Sequence, residues 1–210
     1  MKHEWRKKEK SLYLPKAKPE WVSLPAMRFL SISGEGSPES PAFSETIQAL
    51  FAASYAVKMS LKKEKHPPMG YSDYTVYPLE GVWSLHETAQ KTFTGKVNKN
   101  DLVYTLMIRQ PDFVPEEYLR TKIAETIERK SIPFLELLKV EQITEGPCVQ
   151  MLHLGPFETE AKSFAQMEAF TETQGLIRKY KWHREIYLSD FRKVPKEKLK
   201  TVLRFSVEEV

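Results

Sequence analysis

The chain has 210 residues, 41% hydrophobic and 29% charged, with 32 Lys and Arg against 28 Asp and Glu for a net charge of +4. That length buries a sizeable core in one large domain or two small lobes, and the ordinary composition excludes a wholly disordered chain. The single cysteine, Cys148, excludes an intramolecular disulfide; with no signal-peptide apolar region and no run near the ~20 apolar residues of a membrane span, a cytoplasmic protein without a membrane partner is expected.

The excess positive charge gathers in the first eighteen positions, where Lys2, Arg6, Lys7, Lys8, Lys10, Lys16 and Lys18 outnumber Glu4 and Glu9. A basic arm with no base-reading motif predicts no specific nucleic-acid partner. Trp5, Leu12, Tyr13, Leu14 and Trp21 are too apolar for a free tail, so residues 1–25 form an arm lying along the body, with the main domain over 26–210. Residues 27–36 alternate as a strand and end in a Gly34-Glu35-Gly36 turn. Ser40 then caps a helix with Pro41 in its first position, and Phe43, Ile47, Leu50, Phe51 and Tyr55 mark its buried face to about residue 60.

A Pro-rich loop over 62–70 precedes an aromatic stretch, 71–83, read as a strand bent at Pro78 and Gly81. Residues 95–100 form a polar turn and 102–109 a strand apolar on both faces. Pro115 opens a second helix over about 115–130, with Leu119, Ile123 and Ile127 buried and Glu116–Arg120 and Glu125–Arg129 paired across one turn. Strands over 135–143 and 148–154 flank a Glu145-Gly146-Pro147 turn. A third helix over about 158–173 carries Ala161, Phe164, Ala165 and Met167 and stops at Gly175. Two strands, 182–190 and 201–207, complete the chain.

The order strand, helix, strand, strand therefore occurs twice, over about 27–112 and 135–208. Paired, two such modules give an α+β fold: an antiparallel sheet with helices on one face and a ligand cleft on the other.

The strand over 182–190 carries the candidate chemistry. On alternating faces, Ile186 and Leu188 share one side while His183, Glu185, Tyr187 and Ser189 share the other. Glu185 is then either an ordinary solvated side chain or an acid pointing into a groove. The spacing of His153 and His183 predicts no metal site, and neither a phosphate loop, a dinucleotide fingerprint nor a serine nucleophile elbow is present.

Three stretches resemble the GyrI-like small-molecule-binding family: Tyr77-Pro-Leu-Glu-Gly-Val-Trp83, Glu145-Gly-Pro-Cys-Val-Gln-Met-Leu-His-Leu-Gly-Pro156 and His183-Arg-Glu-Ile-Tyr-Leu-Ser-Asp190. The resemblance covers about residues 27–208. It implies the duplicated fold and a glutamate directed into the cleft, here Glu185. Stand-alone members most like this chain are linked to hydrolysis of cyclopropane-bearing, DNA-alkylating aromatic natural products. A cofactor-free hydrolase is then expected. Glu185 serves as general base, since partial desolvation by aromatic rings makes a carboxylate a better proton acceptor. Tyr187 orients Glu185 or donates to the substrate carbonyl, and Tyr71, Tyr74, Tyr77, Trp83, Trp182 and His183 are the candidate binding residues. The same aromatic set around a carboxylate also suits a non-catalytic receptor for flat aromatic or cationic molecules. Glu80, beside Gly81, is expected in a turn rather than as a second cleft acid.

Overall fold

The computed structural model describes residues 2–92 and 97–210. It has the α+β class and antiparallel strands expected from the sequence. Its strands are β1 (Glu20–Glu35), β2 (Leu79–Leu85), β3 (Leu102–Gln110), β4 (Lys139–Leu154), β5 (Leu176–Arg178), β6 (His183–Tyr187) and β7 (Lys200–Glu209). The long helices are α1 (Pro41–Lys63), α2 (Glu116–Arg129) and α3 (Glu160–Thr173). Among the described residues no helix is long and apolar enough to cross a membrane.

The chain packs as two discontinuous units, the first Met1–Glu4, Met27–Tyr77 and Leu85–Ile143, the second Trp5–Ala26, Pro78–Ser84 and Thr144–Val210. In the first unit, β1 pairs antiparallel with β3 from Arg28↔Gln110 to Glu35↔Val103. Gly34 faces Tyr104, whose hydroxyl and ring stand 2.6 and 2.7 Å from where a Cβ would sit, so only glycine fits there. Ser40 caps α1 by accepting the Phe43 N–H at 3.2 Å, as its position beside Pro41 predicts.

The buried stripe of α1 runs Phe43, Ile47, Leu50, Ala53, Val57 and Leu61, carrying the helix one turn past residue 60, whereas Tyr55 is half exposed. On α2, Leu119 and Ile123 are buried but Ile127 is not; Thr126 takes its place, its hydroxyl satisfied by the Lys122 carbonyl. Glu116 and Arg120 pair as predicted at 2.6 Å, while Glu125 bonds Lys122 at 2.8 Å and keeps a charge interaction with Arg129, its expected partner. The stretch 71–78 is not strand: it makes one isolated bridge, His3↔Tyr74, before Pro78, which has no N–H to give a ladder. Gly95 and Lys96 of the predicted turn lie outside the described residues; Lys99–Asp101 is a 3-10 turn.

In the second unit β6 lies between β2 and β7, and β7 also pairs with β4 and, at its end, with β5, all antiparallel. The expected turn at Glu145-Gly146-Pro147 is absent. One strand passes straight through it, with Gly146 at φ +67° supplying a local irregularity that a residue with a Cβ adopts only under strain. The continuous strand keeps Glu145 buried, where it binds Arg184.

The two faces of this sheet differ sharply. Val149, Met151, Leu203, Phe205 and Val207 form an apolar core with Met167 of α3. The other face holds a buried ionic network: Arg184 donates to Glu80 at 2.7 Å and to Glu145 at 3.0 Å, and Arg204 donates to Gln150 at 2.8 Å. Glu80 is therefore a strand residue in a buried ion pair, not a turn residue. The basic arm docks on this same face. Tyr13 donates to Glu80 at 3.4 Å, Arg204 to the Leu12 carbonyl at 2.6 Å, and the Leu152 N–H to the Lys16 carbonyl at 2.9 Å. Desolvated charges need such partners, because each unpaired ion costs several kcal/mol (roughly 3–5).

Candidate active site

In an antiparallel pair, directly opposed residues share a face. Glu185 opposes Leu203, Arg184 opposes Arg204, and Trp83 opposes His183. The side chains of Trp83, His183, Glu185 and Tyr187 thus lie on the α3-covered face. This differs from the expectation of a helix-free face, and the reason is Arg184: the alternate positions of β6, expected to be purely apolar, carry a guanidinium that occupies the opposite face with Glu80 and Glu145.

Glu185 is held by two donors. His183 Nε2–H donates to its Oε1 at 3.0 Å, and Tyr187, two residues along the same face, donates to it as well. The Trp83 indole N–H in turn donates to the Tyr187 hydroxyl oxygen at 2.7 Å. Burial first, then the neighbouring Glu185 charge, pushes the Tyr187 phenol well above its ordinary range, so it remains a donor. Rings enclose the group: Phe157 and Phe191 stand edge-on to Tyr187 at 6.0 and 5.3 Å, and Phe164 edge-on to His183 at 4.7 Å.

The first turn of α3 brings a second carboxyl. Donor atoms of Glu160, His183 and Glu185 all lie within 4.8 Å of one another. Glu160 is 7% exposed, and its Oε1 is buried with no hydrogen-bond partner. Burial, then Glu185 and Glu158, raises its proton affinity from an ordinary 4.5 to about 10. Three such donor atoms could meet one divalent ion, but the 3.0 Å His183–Glu185 contact already joins two of them through a hydrogen bond.

Sequence reasoning missed Glu160: among the residues it singled out on this helix were Ala161 and Ala165. Both are exposed; the stripe is Glu160, Ser163, Met167 and Thr171, whose spacing of three and four was itself the available signal. Of the remaining candidates, Trp182 stacks on Tyr180 at 4.9 Å. Tyr71, Tyr74 and Tyr77 belong to the first unit. There Tyr71 and Tyr74 pack edge-on to Phe113, and the Arg109 guanidinium covers Tyr77 at 5.0 Å. His153 receives the Ser163 hydroxyl at Nδ1 (2.9 Å) and gives Nε2–H to the Pro156 carbonyl (3.1 Å), a satisfied buried histidine beside an open groove of about 510 Å³.

A family model described as the GyrI-like small molecule binding domain matches residues 84–208. The chain belongs to the GyrI-like small-molecule-binding family. Two solved structures of Listeria innocua proteins, each described as a hydrolase, are similar to this GyrI-like chain along its length. One is 37% identical with a TM-score of 0.86, covering 98% of this chain and 100% of that one. The other is 38% identical with a TM-score of 0.88, covering 99% and 100%. The C-terminal domain of EcmrR shares the GyrI-like fold at 13% identity and a TM-score of 0.53, over 92% of this chain and 98% of that domain. Curated proteins gave no significant match.

Proposed function

We propose that this GyrI-like protein is a cofactor-independent hydrolase that adds water to the strained cyclopropane of flat, aromatic, DNA-alkylating natural products, a detoxifying reaction. The observation that carries the reading is the buried Glu185 carboxylate, held by His183 and Tyr187 among Trp83, Phe157 and Phe164. The hydrolases of Listeria innocua at 37% and 38% identity support it.

In this mechanism Glu185 takes a proton from a water whose oxygen bonds to the ring CH₂. The strained C–C bond breaks, and its electron pair moves into the conjugated carbonyl, which becomes a phenol oxygen on taking a proton from solvent. His183 and Tyr187 are positioning residues that fix the carboxylate, and the surrounding rings hold the flat substrate by stacking. Trp182 is proposed as a further ring contact.

The test is to incubate the protein and its Glu185→Gln variant with a spirocyclopropyl-cyclohexadienone and follow ring-opened product by mass. Loss of a base is expected to lower the rate by about 10²–10⁴-fold. Binding without product above the buffer rate would leave only a receptor for flat aromatics. A variant as active as the parent would remove Glu185 from the mechanism.

A further inference from the structure

Glu160 is a buried carboxyl beside Glu185 that the cyclopropane mechanism leaves unused. Its Oε1 has no partner, and its donor atom lies within 4.8 Å of those of His183 and Glu185. The two carboxyls are not equivalent: Glu185 accepts hydrogen bonds from His183 and Tyr187, whereas no such donor reaches Oε1 of Glu160. Two neighbouring acids, one held by donors and the other buried without one, can divide into a base and an acid. Glu158 and Glu185 both add negative charge near Glu160, and the loss of solvent acts in the same direction.

The spacing constrains what a proton on Glu160 can serve. In an activated cyclopropane, the departing electron pair ends on a carbonyl oxygen several bonds from the attacked carbon, out of reach of a donor beside the base. In an epoxide the departing oxygen is bonded to the attacked carbon itself, so a base and an acid a few ångströms apart serve both ends of the same displacement.

We infer that Glu160 is a second catalytic carboxyl, a neutral acid that equips this protein to hydrolyse aryl epoxides as a further substrate class. The inference rests on the reading of Glu185 as base. Glu185 takes a proton from water, the water oxygen bonds to the epoxide carbon, and the ring C–O bond breaks. The freed electron pair takes the proton of Glu160, giving a vicinal diol. Proton transfer from Glu185 back to Glu160 restores both groups, and no oxidant, reductant or other co-reactant is consumed. Phe157 and Phe164 offer edges and faces for the aryl group.

The experiment uses the full chain, its Glu160→Gln and Glu185→Gln variants, and two probes, styrene oxide and a spirocyclopropyl-cyclohexadienone. Diol and ring-opened product are quantified by mass, and near-ultraviolet circular dichroism verifies that each variant is folded. The parent is expected to form diol above the buffer rate. Glu185→Gln should lose turnover of both probes, while Glu160→Gln should lower the epoxide rate by about 10²-fold or more and shift the epoxide-to-cyclopropane rate ratio in the same direction. In the parent alone, the epoxide rate should fall at alkaline pH as Glu160 gives up its proton, a readout that does not depend on any variant folding.

Cyclopropane opening without diol formation would overturn this inference and leave the function proposed above intact. Turnover of neither probe would remove both. Equal diol formation by the parent and Glu160→Gln would overturn the role of Glu160, as would activity abolished by a chelator and restored by Zn²⁺, which would make the three donor atoms a metal site.

Discussion

Replacing Glu160 by Gln should stabilise the protein at neutral pH, and the amount follows from its burial. A carboxyl whose proton affinity is raised from 4.5 to about 10 on folding takes up a proton when the chain folds. Its contribution is most favourable below 4.5 and is lost as pH rises towards 10. Each pH unit in that window costs up to about 1.4 kcal/mol, so at about pH 7 the ceiling is roughly 3.4 kcal/mol. Because Glu185 shares the local charge, about 1–3 kcal/mol is the expected gain for the isosteric Gln, which cannot ionise. The assay is urea unfolding of both proteins between about pH 5 and pH 9, followed by circular dichroism. Taking the difference removes groups that do not interact with Glu160, while the influence of Glu185 and Glu158 on it stays in the measured gap. The stability gap should widen with pH; curves that stay parallel across the window would show that Glu160 is ionised in the folded protein and would refute the argument.

Two further substitutions probe the supports of the site. Arg184→Met leaves Glu80 and Glu145 without their shared guanidinium and should destabilise the protein by about 3–5 kcal/mol in the same urea assay, whereas an exposed arginine such as Arg120 should cost under about 1 kcal/mol. Trp83→Phe removes the 2.7 Å indole bond to Tyr187; a loss of about 1 kcal/mol is expected, together with a lower kcat as Tyr187 and then Glu185 lose their fixed positions. Unchanged turnover by a folded Trp83→Phe protein would show that this chain of hydrogen bonds does not act on the base.

The elements legible in the sequence were those whose signals are local. The Ser40 cap with Pro41, the apolar run of β3 and the Gly175 stop each depend on a few adjacent residues, and each appears where expected. The errors came where distant partners overrode local chemistry. Glu145-Gly146-Pro147 reads as a turn, yet Arg184 and Arg204 hold Glu145 inside a continuous strand. Likewise, a polar residue at the start of a helix reads as solvated, although Glu160 shares the three- and four-residue spacing of the buried Ser163, Met167 and Thr171. The alternation of β6 correctly grouped His183, Glu185 and Tyr187, but it could not say which face the helix covers. That depends on pairing Glu185 with Leu203, a relation absent from any local window.

The second unit's sheet uses buried charge in two opposite ways on adjacent residues of one strand. Arg184 is wholly partnered, by Glu80 and Glu145, so its charge is fixed and only structural. Glu185, one residue on, faces the other side, where the donors His183 and Tyr187 hold it and Glu160 is left with an unpartnered oxygen. Arg184, held between two carboxylates, has no proton to exchange and leaves no vacancy for a substrate. An incompletely partnered pair of acids has both, at a cost in stability that the rigid ionic face and the docked arm help the fold to withstand. Rigidity on one face and chemical reactivity on the other are therefore consequences of the same alternation, and the Glu160→Gln measurement tests the reactive half directly: a stability gain with a loss of turnover is the joint signature of an acid kept for its proton rather than for its packing.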